Sequence, residues 1–143
     1  MPFERILVAV DFSEVSVRAL EQALDLATKL GASVTVMHAY QIPIYDFPDG
    51  TIVPSADHAA RIADAAQKHL DAMIARHRDD GVAIEGLLRQ GSPAEEILAV
   101  AADRGPDLII LGTHARGAVG RAFYGDVALH VIRTATAPVL TFH

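Results

Sequence analysis

Cysteine is absent from the 143-residue sequence, and no apolar run approaches the roughly 20 residues that a helix needs to cross a bilayer. Without cysteine there is no disulfide, no thiol catalysis and no cysteine-ligated zinc. The first residues, Met1 to Arg5, lack the basic and then apolar pattern of a signal peptide. We therefore expect a cytoplasmic protein without a membrane partner.

Basic residues are also few in this chain. Lys and Arg number 12 against 18 Asp and Glu, which gives a formal net charge of −6. Binding to nucleic acid depends on clustered Lys and Arg that displace counterions from the phosphates. The charge balance therefore predicts no nucleic-acid partner.

Several catalytic and metal-binding motifs are missing as well. The seven histidines form no HExxH motif, and the sequence contains no GxSxG elbow, no Walker lysine motif and no GxGxxG fingerprint. These absences predict no zinc site, no acyl-transfer centre and no dehydrogenase site. We expect no metal ligand, no catalytic residue and hence no enzyme.

What the sequence does contain is a regular alternation of strand and helix patterns over one domain, residues 1–143. Hydrophobic residues make up 51% and charged residues 21%, as in a folded globular domain. The predicted strands are Ile6–Val10, Ser33–His38, Ala83–Arg89, Asp107–Leu111 and Pro138–Phe142. Helical patterns between them cover Val17–Ala27, Ala59–Arg78, Pro93–Arg104 and Val127–Ile132. This alternation predicts an α/β fold with an open parallel sheet and helices on both faces.

The stretch from Tyr40 to Ser55 interrupts the alternation. It contains three prolines and an Asp49-Gly50 pair and shows no sustained period, which predicts a long loop. Loops of this length often act as lids or binding segments. The aromatic side chains of Tyr40, Tyr45 and Phe47 either serve such a role or pack the loop onto the core.

The clearest helix start lies at Gly91-Ser92-Pro93-Ala94-Glu95. Ser92 is predicted as the N-cap and Pro93 as the first helical residue, with Glu95 closing a capping box. The helix then ends near Arg104, because Gly105 and Pro106 follow.

A glycine-bearing segment follows the fourth strand. It reads Gly112-Thr113-His114-Ala115-Arg116-Gly117, and Gly125-Asp126 comes after a short basic stretch. The segment lies between a strand end and a helix start, where α/β sheets bind ligands. Glycines let backbone N–H groups approach phosphates, and the helix start carries partial positive charge. The segment therefore resembles a phosphate-binding loop.

Asp11 ends the first strand at the same edge of the predicted sheet. A carboxylate there can bind a ribose hydroxyl or a metal ion on phosphate. Alternatively, Asp11 or Ser13 caps the first helix. The position of Asp11 is compatible with both interpretations.

Five short motifs, taken in order, resemble the universal stress protein family over essentially the whole chain. They are Val8-Ala9-Val10-Asp11-Phe12-Ser13, Met37-His38-Ala39, Gly91-Ser92-Pro93, Gly112-Thr113-His114 and Ala137-Pro138-Val139-Leu140. The resemblance implies a Rossmann-like three-layer sandwich with a five-stranded parallel sheet in the order 3-2-1-4-5. It also implies a homodimer through the last strand, Val139, Leu140, Thr141 and Phe142.

ATP-holding members of that family carry G-x2-G-x9-G-[ST] after the fourth strand. Gly112 and Gly125 match the first and third glycines, whereas Ala115 replaces the second and Asp126 replaces the Ser or Thr. The Ala115 methyl hinders close backbone approach, and the Asp126 carboxylate brings negative charge to the place of the triphosphate. Ala9 also stands where ATP-holding relatives often have proline. These departures predict weak or absent ATP binding.

The resemblance implies a set of residues around a nucleotide and three candidate functions. The set is Ala9, Val10, Asp11, Ala39, Gly112, Thr113, His114, Ala115, Arg116, Gly125, Asp126 and Val127. The first function is a dimeric stress-response regulator with a degenerate nucleotide loop and a protein partner that the sequence does not identify. The alternative is a stress sensor that binds ATP, ADP or AMP, and the third is a slow ATPase.

Overall fold

The computed structural model describes residues 2–78, 81–113 and 123–143. Its helices are α1 (Glu14–Leu30), α2 (Ala56–His77), α3 (Pro93–Arg104) and α4 (Phe123–Thr134). Its strands are β1 (Arg5–Ala9), β2 (Ser33–Tyr40), β3 (Tyr45–Phe47), β4 (Gly50–Ile52), β5 (Ile84–Gln90), β6 (Leu108–Gly112) and β7 (Val139–Phe142). Among these described residues, no helix is both long and apolar enough to span a bilayer.

Five of the strands form one parallel sheet in the order β5-β2-β1-β6-β7. Counted along the chain within this sheet, the order is 3-2-1-4-5, so the expected topology is confirmed. Ala9 in β1 lies opposite Met37 in β2 on one side and Leu111 in β6 on the other. The direction of winding reverses between β1 and β6, which is where such sheets open a ligand crevice.

Two hydrophobic cores lie on opposite faces of this sheet. In β1, Ile6 and Val8 belong to the core under α1 and α2, whereas Leu7 and Ala9 belong to the core under α3 and α4. Side chains alternate between the faces of a strand, so a strand that is covered on both faces is apolar throughout. The continuous run in β1 therefore follows from the three-layer architecture.

The stretch predicted as an irregular loop contains an antiparallel ribbon of β3 and β4. Phe47 pairs with Gly50 across the two-residue Pro48-Asp49 connection, a length typical of hairpins. Tyr45 and Phe47 are 55% and 54% exposed, so of the two alternatives for these rings, packing onto the core is wrong. Tyr40 instead ends β2, where it is half-buried.

The start of α3 also differs from its prediction. Ser92 is the N-cap residue and Pro93 lies in the first turn, but the Ser92 side chain makes no capping hydrogen bond. The predicted capping box with Glu95 is therefore wrong. The helix start is instead joined to β5 by an ion pair between Glu96 and Arg89, with an N–O distance of 3.0 Å.

Candidate functional site

The carboxyl ends of β1, β2 and β6 meet at one edge of the sheet. Of the residues predicted to surround a nucleotide, this edge brings together Ala9, Val10, Asp11, Ala39, Gly112 and Thr113. The Val10 N–H donates to the Met37 carbonyl at 2.9 Å, which continues the β1–β2 pairing beyond the strand end. The edge at the winding reversal is therefore built from three adjacent strands.

Four of the predicted site residues have buried apolar side chains. These are Ala9, Val10, Ala39 and Val127. Ala9 and Val127 belong to the core under α3 and α4, and Val10 belongs to the core under α1 and α2. Such side chains offer no polar group to a ligand, so Asp11 is the candidate for polar recognition at the β1 end.

Asp11 organises the turn that leads into α1. One carboxylate oxygen, Oδ1, accepts from the Ser13 N–H at 3.0 Å and from the Ser13 hydroxyl. Ser13 in turn is the N-cap, and its Oγ accepts from the Ser16 N–H at 3.3 Å. Of the two capping candidates, Ser13 therefore caps the helix directly, and Asp11 holds Ser13 in place.

Phe12 adopts a left-handed backbone conformation, with φ of 67°. A bulky residue in this region costs on the order of 1–2 kcal/mol and persists only where its surroundings hold it. The Phe12 ring stacks on His69 from α2, with centroids 3.8 Å apart, and lies 4.3 Å from the ring of His38 in β2. Phe12 therefore occupies the space between two histidines.

His38 fixes the backbone on the other side of Asp11. Its Nδ1 lies 2.7 Å from the Val10 carbonyl oxygen, which only accepts, so Nδ1 carries the hydrogen. Burial lowers the pKa of His38 below its ordinary value of 6.5, and the Val10 hydrogen bond and the Asp11 carboxylate oppose this effect. His38 is therefore neutral at pH 7.

The sequence reasoning missed the ring cluster formed by Phe12, His38 and His69. His38 stood in a family motif but had no role, and no local pattern marks a phenylalanine for positive φ. His69 lies on a helix whose buried residues around it are Leu70, Met73 and Ile74, so its contact with Phe12 depends on how α2 packs.

Gly112 has a packing role at the end of β6. A Cβ on Gly112 would lie 2.8 Å from the Val15 carbonyl oxygen and 3.0 Å from the Ser16 nitrogen. Backbone atoms of α1 cannot yield as a flexible side chain does, so this approach of β6 to α1 requires glycine. The adjacent Thr113 N–H donates to the Phe142 carbonyl at 2.6 Å and ties β6 to β7.

Three residues of the predicted phosphate loop, His114, Ala115 and Arg116, lie outside the described residues. The helix α4 begins at Phe123, so Gly125 lies inside it, and Asp126 is exposed in its first turn. The helix therefore begins four residues before the predicted helical pattern of Val127–Ile132. Asp126 nevertheless brings a carboxylate to the positive end of the helix.

The comparison with known proteins decides the family. The sequence profile of the universal stress protein family matches residues 2–143. The chain belongs to this family. A universal stress protein of Thermus aquaticus is 35% identical over 139 residues, 96% of this chain and 97% of that protein. A solved structure of a family member from Burkholderia pseudomallei is 27% identical, with a TM-score of 0.75, covering 98% of this chain and 96% of the other.

Two further universal stress protein structures contain adenine mononucleotides. One, from Archaeoglobus fulgidus, is in complex with dAMP; it is 23% identical, with a TM-score of 0.69, and covers 100% of both chains. The other is in complex with cAMP; it is 22% identical, with a TM-score of 0.65, and covers 100% of this chain and 98% of its own. At these identities the likeness is one of fold.

Proposed function

We propose that this universal stress protein is a cytoplasmic, homodimeric stress-response regulator that binds adenine nucleotides with one phosphate in preference to ATP. The observation that carries the proposal is the exposed Asp126 carboxylate in the first turn of α4. The cAMP and dAMP held by two family structures support the ligand class.

The nucleoside part of the proposed site lies at the carboxyl ends of β1 and β2. The side chains of Val10 and Ala39 are buried at these strand ends, and Asp11, the residue after Val10, supplies a carboxylate. Small-molecule sites commonly combine an apolar lining with a few placed polar groups. In this proposal Asp11 accepts a ribose hydroxyl.

The phosphate part of the site distinguishes the nucleotides by charge. Two like charges about 4 Å apart repel by roughly 1 kcal/mol in water and by roughly 4 kcal/mol at an effective dielectric near 20. ATP places several charges near the start of α4, whereas cAMP places one. The Asp126 carboxylate therefore disfavours ATP more strongly than cAMP.

The dimer part of the proposal concerns β7. This strand is the last in the sheet order, and Leu140 within it is 37% exposed. An apolar edge strand promotes uncontrolled pairing unless it is covered, and an antiparallel contact with its symmetry mate satisfies both edges. Sedimentation equilibrium at micromolar concentration tests this point, and a purely monomeric protein would contradict it.

We propose binding without catalysis. Nucleotide hydrolysis needs an organised base and fixed charge around the reacting phosphate. The carboxylate at the end of β1 already accepts two hydrogen bonds from Ser13 at Oδ1, so this oxygen serves the turn before α1. Regulation then follows from the bound nucleotide and from an unidentified protein partner.

Calorimetric titration of dialysed protein with cAMP, AMP and ATP, with and without magnesium, tests the proposal. We expect Asp126→Ser to tighten ATP binding by about tenfold, since about 1.4 kcal/mol is one decade in affinity, and to change cAMP binding by less than about threefold. Asp103→Ser removes an exposed carboxylate at the far end of α3 and is the matched control. Equal affinities for cAMP and ATP, with no effect of Asp126→Ser, would contradict the proposal.

A further inference from the structure

We propose that Phe12, held between His38 and His69, is the positioning residue that sets Asp11 for nucleotide binding and makes this setting depend on pH. The inference rests on the proposed function for its ligand. The ring cluster of Phe12, His38 and His69 itself is a property of the described structure.

Asp11 lies between two residues that the ring cluster anchors. On its amino side, His38 Nδ1 donates to the Val10 carbonyl at 2.7 Å. On its carboxyl side, Phe12 is kept at φ of 67° with its ring 4.3 Å from that of His38. One histidine therefore contacts both neighbours of Asp11, so these two contacts hold the backbone on either side of Asp11 while Ser13 binds its carboxylate.

His69 closes the cluster from α2. Its ring lies nearly parallel to that of Phe12, with an interplanar angle of 14° and a centroid distance of 3.8 Å. Phe12 in a relaxed backbone conformation would point its ring elsewhere, so the stacking opposes relaxation of the strained turn. The cluster thus joins β2, α2 and the turn between β1 and α1.

Protonation of His38 acts directly on this arrangement. Asp11 from the turn favours the charged form of His38, whereas His69 from α2 and the burial of the ring oppose it. When His38 is protonated, its positive charge lies in a half-buried setting against the Phe12 ring. Movement of the charged ring toward water relieves the cost of this burial and releases Phe12, and with it the support of Asp11.

Titration with cAMP at pH 7.5 and pH 5.5 tests the inference, because the charge of cAMP is constant over this range. We expect the affinity of the wild-type protein to fall by roughly fivefold at the lower pH, as for a binding site linked to one histidine. His38→Gln retains an N–H donor for the Val10 carbonyl but cannot become charged, so the affinity ratio between the two pH values should approach one. The same ratio in wild type and His38→Gln would overturn the inference.

Three further variants separate positioning from general damage. Phe12→Gly accommodates the left-handed backbone without a ring, and we expect weaker cAMP binding at both pH values. His69→Phe preserves an aromatic ring for the stack, so it should retain wild-type affinity at pH 7.5 and keep the pH dependence that His38 sets. His77→Gln, on the last turn of α2 beside Glu21, is the control and should leave the ratio unchanged.

Amide resonances of Asp11 and Ser13 give a readout without nucleotide. In the nucleotide-free protein we expect both to shift with the same midpoint as the His38 ring, and to lose this shift in His38→Gln. If they shift but cAMP binds at neither pH, the pH-linked cluster stands and the proposed nucleotide function fails. If cAMP binds but the amides do not follow His38, the inference fails and the proposed function stands.

Discussion

Two aspartates near helix starts, Asp11 before α1 and Asp126 in α4, are placed in very different environments. Asp11 is half-buried and accepts hydrogen bonds from Ser13, whereas Asp126 is exposed in the first turn of its helix. The position of Asp11 therefore depends on packing, and any effect of Asp126 depends on its charge. Substitutions that change packing should therefore disturb Asp11 and not Asp126. Substitutions that change charge should affect the role of Asp126 and not that of Asp11.

Gly112→Ala should have the largest effect on stability, because Gly112 packs against the backbone at the start of α1. The added Cβ would meet the Val15 carbonyl oxygen at 2.8 Å, and we expect a loss of about 3 kcal/mol in the free energy of unfolding. Urea denaturation measures this loss of unfolding free energy. Gly81→Ala is the control, since no described atom lies within 4 Å of a Cβ there. Unchanged stability with weakened cAMP binding would instead assign Gly112 to the ligand alone.

Ser13→Ala should have the next largest effect. It removes the N-cap oxygen of α1 and the hydroxyl that donates to Asp11, and we expect a loss of about 1–2 kcal/mol. Ser92→Ala at the start of α3 should cost less than about 0.5 kcal/mol, because no side-chain capping bond is lost there. If thermal or urea unfolding showed equal losses of stability in the two variants, the hydrogen bonds between Asp11 and Ser13 would not contribute to the stability of the α1 cap.

His38, which contacts both neighbours of Asp11, makes the stability of the fold depend on pH. Its pKa is lower in the folded protein than its ordinary value of 6.5, so the unfolded chain binds more protons below that pH. The stabilisation is present above about pH 6.5 and is lost as the pH falls. We expect the urea midpoint to decrease less between pH 7.5 and 5.5 in His38→Gln than in wild type. Parallel decreases would refute this assignment.

The fold could be predicted because each of its layers leaves a periodic pattern. The apolar run at the start of the chain indicated a strand covered on both faces, and β1 is buried on both. The ribbon of β3 and β4 escaped prediction because two three-residue strands give too short a pattern. The capping box at Ser92 failed because the Arg89–Glu96 ion pair, a contact between elements, fixes that helix start.

The sequence predicted which strand ends form the candidate site but not the side-chain contacts within it. Strand order brings Asp11, Ala39 and Gly112 to one edge, and the motifs marked these positions. The chemistry of the edge depends on side chains from distant elements, such as His69 from α2 stacking on Phe12. Gly112 also depends on a distant element. The motif predicted that this glycine contacts phosphate, whereas in the structure glycine is required there because the Val15 carbonyl lies so close.

Asp126→Ser should have the smallest effect on stability, and its sign sharpens the contrast with Asp11. An exposed carboxylate in the first turn interacts favourably with the helix dipole, so its removal should cost about 0.5 kcal/mol. Asp103→Ser in the last turn of α3 should have the opposite sign, because a negative charge there opposes the dipole. Both effects should shrink in high salt, since exposed charges are screened. A loss that persists in high salt would mean that Asp126, like Asp11, is held by packing.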